Sequence, residues 1–256
     1  MMRTTRWTAA LAGVVVMTMA ASTASAATIV TVTGDGQAGW LFNRDASTST
    51  PYEFTTDEAS IGSGSIFVPP IDGANPANKF IAEQFVNASA GEFQGVSYDF
   101  LVASDPADYV HFYLNVYVEL PGGTSNYYDC RFDFVPSYAL VGDFTTFAVD
   151  GATTPTRVEA RNDGVGACPA TLGGLPADAT IEVLAINVGD TGPNDAGASG
   201  YLDNVAVSVG GDPTIYDFEE APAGKDDCKS GGWEAFGFAN QGSCVASVQA
   251  NERAGK

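Results

Sequence analysis

Basic residues are scarce in this chain, and their scarcity excludes two kinds of partner. Of 256 residues, 11 are Lys or Arg and 31 are Asp or Glu, so the formal net charge is −20. Nucleic acids and anionic membrane surfaces are bound through clusters of Lys and Arg. We therefore expect no nucleic-acid partner, whereas soluble sugars, cations and basic partners are compatible with this charge.

Histidine and the common catalytic motifs are also scarce or missing. The only histidine is His111, and the sequence has no G-x-S-x-G, H-E-x-x-H or glycine-rich phosphate motif. A glycosidase needs only two carboxylates, but no strand shows the E-x-D-x-x-E alternation of jelly-roll glucanases. We therefore expect a protein that is not an enzyme, with a secreted glycan hydrolase as the least favoured alternative.

Long apolar runs are limited to the N-terminus. Arg3 and Arg6 precede an apolar stretch, Ala9–Ala20, which is followed by Ala24-Ser25-Ala26. This order of basic, apolar and small residues is typical of a secretory signal peptide, and the apolar stretch is too short to anchor a protein in a bilayer. We predict a signal peptide over residues 1–26, no membrane span, and a mature protein that is secreted and extracellular.

Four cysteines suggest a disulfide framework: Cys130, Cys168, Cys228 and Cys244. An even number in a secreted chain favours two disulfides, and four cysteines allow three pairings. We favour Cys130–Cys168 and Cys228–Cys244, because each pair falls within one block of composition. The absence of C-x-x-C argues against a zinc site.

Strand-forming residues dominate from Ala27 to about Gly211. Runs of Val, Ile, Phe, Tyr and Thr alternate with clusters of Gly, Pro, Asp and Asn, without a long helical period. This pattern predicts an all-β fold, an antiparallel β-sandwich or jelly roll, over residues 27–212. The candidate strands are Thr28–Thr33, Gly64–Val68, Lys79–Val86, Gly95–Val102, Tyr109–Leu120, Tyr127–Val135, Phe144–Val149, Thr156–Arg161, Thr180–Val188 and Leu202–Val209.

The composition changes near Pro213, so residues 213–256 are predicted to be a linker and a short disulfide-closed C-terminal motif. Tyr216–Glu220 is a candidate for a last strand, and the acids Asp217, Glu219 and Glu220 are interpreted as a solvated linker. Asn240 is placed to cap a helix that runs to Arg253.

The strand Tyr109–Leu120 has the clearest alternation. Val110, Phe112, Leu114, Val116 and Val118 fall on one face, which predicts that this face is buried. Tyrosines present flat apolar rings with a polar tip, and sugar rings stack on such surfaces. The predicted ligand-binding residues on the other face are Tyr109, His111, Tyr113, Asn115 and Tyr117.

The next strand is predicted to point Cys130, Phe132 and Phe134 inward and to leave Asp129 and Arg131 on the outward face. Antiparallel pairing is expected to set Arg131 beside Tyr113 or Asn115, where it would bind sugar hydroxyls. The alternative is that this face is an ordinary sheet surface covered by a loop or by the C-terminal motif.

The C-terminal motif carries a resemblance to a known group. Cys228-Lys-Ser-Gly-Gly-Trp233, followed by Phe238-Ala-Asn-Gln-Gly-Ser-Cys-Val245, resembles the C-K-x-G-G-W…F-x-N-Q-G-x-C-V motif of uncharacterised secreted bacterial proteins. That group has no established activity, so the resemblance implies secretion but no reaction.

Gly200-Tyr-Leu-Asp-Asn-Val205 resembles the closing strand of galactose-binding-like jelly rolls, which include carbohydrate-binding modules. Some of those proteins hold a structural calcium through an acid on this strand and an N-terminal loop. The resemblance implies Asp203 as a metal ligand, with Asp35 as a second ligand. Calcium prefers several oxygen ligands, which Asp side chains supply.

Two functions follow from these features. The first is a secreted non-catalytic module that binds an extracellular glycan or another cell-surface component. The alternative is a structural or adhesion-type envelope protein whose C-terminal motif mediates association.

Overall fold

A computed structural model of the protein describes residues 27–44, 50–72, 78–104, 112–123, 128–136, 142–161, 167–189, 197–222, 224–236 and 238–254. The predicted signal peptide, residues 1–26, lies outside these ranges, as do Tyr109 and His111. Within the ranges, none of the helices combines the length and apolar character needed to cross a bilayer.

The described residues form thirteen strands and two α-helices. The strands are β1 (Thr28–Val32), β2 (Trp40–Phe42), β3 (Glu53–Thr55), β4 (Ser65–Val68), β5 (Lys79–Ser89), β6 (Phe93–Ser104), β7 (Tyr113–Glu119), β8 (Cys130–Phe134), β9 (Thr145–Asp150), β10 (Arg157–Ala160), β11 (Thr180–Gly189), β12 (Ser199–Val209) and β13 (Thr214–Phe218). The helices are α1 (Gly232–Ala235) and α2 (Gln241–Ala254).

The strands make two sheets that pack face to face as a β-sandwich, which confirms the predicted fold class. The first sheet has the order β1-β13-β12-β4-β3, with β6 pairing both β12 and β9, and the second has the order β10-β8-β7-β11-β5-β2. Only β1 and β13 pair in parallel among these strands.

One continuous core fills the space between the sheets. Period-two alternation sends one face of each strand inward, and large aromatic residues supply much of the buried surface. The ring of Trp40 on β2 lies 5.2 Å from that of Phe218 on β13 and 6.1 Å from that of Phe42. The core therefore joins β2 in one sheet to β13 in the other.

The ten candidate strands all correspond to strands of the structure, with shifted ends. The three-residue strands β2 and β3 were not predicted, because they are too short to show a period. The predicted domain boundary at residue 213 is wrong: β13 pairs with both β1 and β12, so the sandwich includes Thr214–Phe218.

The C-terminal motif has a small core of its own. The disulfides join Cys130 to Cys168 and Cys228 to Cys244, the two pairs favoured from the sequence. Cys228, Cys244 and Val248 are buried, and Trp233 packs against them. Asn240 Oδ1 accepts the N–H of Ser243 at 2.9 Å, which confirms the predicted cap of α2.

Candidate functional site

The outward face of the second sheet carries those of the predicted ligand-binding residues that the structure describes. On β7, the side chains of Leu114, Val116 and Val118 are buried in the core, whereas Tyr113 and Tyr117 are half-buried on the opposite face. The predicted alternation of β7 is therefore confirmed. Whether these tyrosines bind a ligand stays a prediction.

The predicted register between β7 and β8 is wrong by two or four residues. Arg131 lies opposite Tyr117 rather than Tyr113 or Asn115, and Asp133 lies opposite Asn115. Asp129 sets this register, because its N–H donates to the carbonyl of Val118 and its Oδ2 accepts the N–H of Leu120 at 2.8 Å. Its side chain is buried to do so, contrary to the predicted outward position.

Arg131 is held by two carboxylates on the same face. Its Nε and Nη2 donate to the two oxygens of Asp133 at 2.7 and 3.0 Å, and Nη2 also lies 3.0 Å from Glu159 Oε2. Burial alone would lower the pKa of Arg131, but the hydrogen bond and charge of Asp133 raise it overall. The guanidinium is therefore fixed in orientation and permanently charged.

A line of amides extends this arrangement across the sheet. Asn187 Nδ2 donates to Asn115 Oδ1 at 3.0 Å, and Asn115 Nδ2 donates to Asp133 Oδ1 at 2.7 Å. Only 1% of Asn187 and 6% of Asn115 is exposed. We call Asn115, Arg131, Asp133, Glu159 and Asn187 the polar network, and its members orient one another from β11 to β10.

An aromatic pair borders the polar network. The rings of Tyr117 and Tyr128 lie 5.1 Å apart, and the Tyr128 hydroxyl donates to Glu159 Oε1 at 2.9 Å. The guanidinium of Arg161 lies 4.4 Å from the centre of the Tyr128 ring, a cation–π contact. The pKa of Glu159 is lowered, first by the Tyr128 hydroxyl and then by the neighbouring guanidinium groups. This face thus combines rings with fixed donors and acceptors.

A second set of polar residues lies on the first sheet, and the sequence interpretation of it is wrong. Asp217 and Glu219, interpreted as a solvated linker, are buried, whereas Glu220 is exposed. Glu219 accepts the N–H and the hydroxyl of Ser63 at 2.7 and 2.8 Å. The pKa of Asp217 is raised to about 7, mainly by burial and secondly by the charges of Glu219 and Asp203.

Glycines at 62 and 64 are the sequence signal that would have revealed this cluster. A methyl group on Gly62 would lie 2.0 Å from Glu219 Oε1 and 2.8 Å from both carboxylate oxygens of Asp217. The φ angle of Gly62 is +62°, which also favours glycine. The loop can therefore approach the two carboxylates only because it has no side chain at this point.

The predicted calcium ligands, Asp203 and Asp35, each accept hydrogen bonds from backbone N–H groups. Asp203 accepts four backbone N–H groups, from Ser60 and Ile61 at Oδ2 and from Asn204 and Phe218 at Oδ1. Asp35 Oδ1 instead accepts the N–H of Phe42 at 2.8 Å. Because N–H groups occupy both oxygens of Asp203, this arrangement does not fit a cation. No group of three or more His, Cys, Asp or Glu side chains that could hold a metal ion occurs in the described ranges.

The comparisons with known proteins give distant similarities of shape. No protein-family model and no curated protein matches the sequence. The solved structures that are similar include the enzymatically active domain of a bacteriophage CBA120 tailspike protein, at 11% identity and a TM-score of 0.39. The matched region is 69% of this chain and 20% of that domain.

Two binding modules are also among the similar structures. One is the CBM22-1 xylan-binding domain of Paenibacillus barcinonensis Xyn10C, with 12% identity, a TM-score of 0.37, and coverage of 70% of this chain and 89% of that one. The other is the module CBM28, described as specific for non-crystalline cellulose, with 16% identity and a TM-score of 0.36. The match covers 68% of this chain and 88% of that one.

Proposed function

We propose that the protein is a non-catalytic extracellular module that binds carbohydrate or another extracellular surface through the outward face of its second sheet. The observation that carries this proposal is the position of Arg131, fixed by Asp133 and Glu159 directly opposite Tyr117. A ring that stacks on a sugar and a donor that reaches its hydroxyls therefore stand side by side.

The polar network supports binding because its orientation is set before a ligand arrives. Ordering a flexible side chain on binding costs roughly 0.5–1.5 kcal/mol. Arg131 and Asn115 are already held by hydrogen bonds at 2.7 Å to Asp133, so that cost falls. Such prior ordering suits hydroxyl-rich ligands, whose affinity depends on several aligned hydrogen bonds.

The structural or adhesion-type function remains the alternative, and one contact favours it. The small core around Cys228 and Cys244 is separate from the main core, and Ser247 Oγ lies 3.2 Å from Thr33 Oγ1 at the end of β1. The C-terminal motif is thus a compact unit beside a sheet edge, a position suited to association.

Binding measurements on polysaccharides test the proposal. Xylan and non-crystalline cellulose are the first ligands to try, because they are the ligands named for two of the similar structures. We expect wild-type protein to be retarded in gels that contain a bound polysaccharide and Tyr117→Ala to be retarded less. Tyr201→Ala, which alters a half-buried tyrosine in the first sheet, is the matched control. Release of reducing ends would instead identify a hydrolase.

A further inference from the structure

Acidic residues gather at one end of the outward face of the second sheet, beside the aromatic pair. Glu119 ends β7, two residues beyond Tyr117 and on the same face of the strand. Asp129 immediately precedes β8, and because Cys130 pairs with Val118, Asp129 follows Glu119 on the neighbouring strand. The pairing of β7 with β8 therefore sets two acids next to each other.

A β-bulge on β11 adds a third acid to this end of the face. The register between β11 and β7 shifts between Ile181 and Val183. Ile181 and Leu184 both pack in the core, so two residues instead of one, Glu182 and Val183, lie between them toward the outward face. Glu182 and Glu119 are half-buried there and hydrogen-bonded to each other.

These acids have no basic partner in the part of the chain that the structure describes. None of its ion pairs includes Glu119, Glu182 or Asp129. Asp129 is only 2% exposed and its Oδ1 accepts no hydrogen bond from the described residues, so its charge adds to the field of the pair. The pKa of Glu182 is raised, first by burial, then by Glu119 and Asp129.

Two carboxyl groups in contact repel when both are charged, so the pair favours either a shared proton or a bound cation. None of the acids in the described ranges is arranged to hold a metal ion. An ammonium group needs less, because its three N–H donors can be divided between two carboxylates. Such a cation is also attracted by the face of a neighbouring tyrosine ring.

We propose that the outward face of the second sheet selects glycans built from amino sugars, whose ammonium group binds to Glu119 and Glu182. This inference rests on the proposed function, because the same face stacks the sugar ring. Two residues along a strand span roughly 7 Å, so a sugar stacked on Tyr117 brings its substituent to the acid pair. The net charge of −20 also attracts a polymer that carries repeated ammonium groups.

Three β-1,4-linked tetramers that differ only at C2 test this inference: those of glucosamine, N-acetylglucosamine and glucose. Isothermal titration calorimetry of the mature protein at pH 6 and low salt compares their affinities. We expect the glucosamine tetramer, whose amino groups are then protonated, to bind about fivefold more tightly than the other two, the upper end of what an exposed ion pair contributes.

Equal affinity for the three tetramers would overturn this inference and leave the proposed function standing. Absence of binding to all three would also overturn it, and the polysaccharide gels then decide the proposed function separately.

Variants of the face separate the acid pair from general attraction to a negative protein. Glu182→Gln keeps the shape and removes the charge, so it should cancel the preference for glucosamine. Glu220→Gln removes the same charge from an exposed residue after β13 and should retain the preference. Tyr117→Ala should weaken binding of every tetramer and retain the preference. A preference that survives Glu182→Gln, or that Glu220→Gln cancels equally, would overturn the inference.

Discussion

Replacing Asp217 by Asn should remove a large part of the dependence of stability on pH. In the folded protein, burial, the charges of Glu219 and Asp203, and a hydrogen bond to Glu219 raise the pKa of Asp217 from its ordinary value of 3.8 to about 7. The protonated Asp217 donates that hydrogen bond, since the bond lowers the pKa of Glu219. Asparagine is a neutral donor of similar shape, so Asp217→Asn keeps the bond and loses the titration.

The sign and size of the effect follow from linkage. Because the folded pKa is raised, the stabilisation is fully present below pH 3.8 and is lost as the pH rises to about 7. A shift of about three pKa units corresponds to ~4 kcal/mol in the free energy of unfolding. Asp203 contributes in the same direction, because burial raises its pKa to about 6 despite four backbone N–H donors.

Urea unfolding of wild type and Asp217→Asn across this pH range is the assay. The free energy of unfolding of the variant should exceed that of wild type by a margin that grows with pH and levels off above pH 7. Glu220→Gln removes the same formal charge from an exposed neighbour and controls for net charge. A constant difference between wild type and Asp217→Asn across the range would refute the reasoning.

Three further outcomes are expected. Gly62→Ala should destabilise the sandwich by at least ~2 kcal/mol, because its methyl group meets two carboxylates; an unchanged melting temperature would contradict this contact. Replacing Cys228 and Cys244 by Ser should cost the C-terminal motif ~3 kcal/mol by the loop-entropy model, and hydrogen exchange should show α2 opening while the strands stay protected. Calcium and chelator should give the same melting temperature, because backbone N–H groups occupy both oxygens of Asp203; a rise with calcium that Asp203→Ala abolishes would contradict this reading.

The β-sandwich was predictable because its long strands alternate cleanly. Every second residue of β7 and of β8 is apolar, and this alternation shows which face of each strand is buried. The disulfide pairs were predictable because each pair of cysteines falls within one block of composition. The register was not predictable, because it depends on the buried carboxylate of Asp129, which sequence patterns do not distinguish from a surface acid.

The acids of β13 show the same difficulty more strongly. Acidic residues next to an Ala-Pro-Ala-Gly segment are usually solvated, yet Asp217 and Glu219 are buried beneath the loop that contains Gly62. That burial depends on the parallel pairing of β13 with β1, two segments almost 190 residues apart in the chain. Local composition carries no information on such a pairing.

Placing Arg131 within the polar network also changes which variant tests the ligand-binding face. Arg131→Ala removes the guanidinium from two carboxylates, Asp133 and Glu159, so a loss of binding would be mixed with a loss of stability. Tyr117→Ala leaves these ion pairs intact and removes the ring beside Arg131, and it is therefore the cleaner probe.

A glycan microarray probed with wild type, Tyr117→Ala and Tyr201→Ala tests the central claim most directly. Loss of one stacking ring is worth ~1 kcal/mol, so Tyr117→Ala should bind the same glycans about fivefold more weakly, whereas Tyr201→Ala should match wild type. Equal binding by wild type and Tyr117→Ala, or no glycan bound by the wild type, would contradict a carbohydrate-binding role for the outward face of the second sheet.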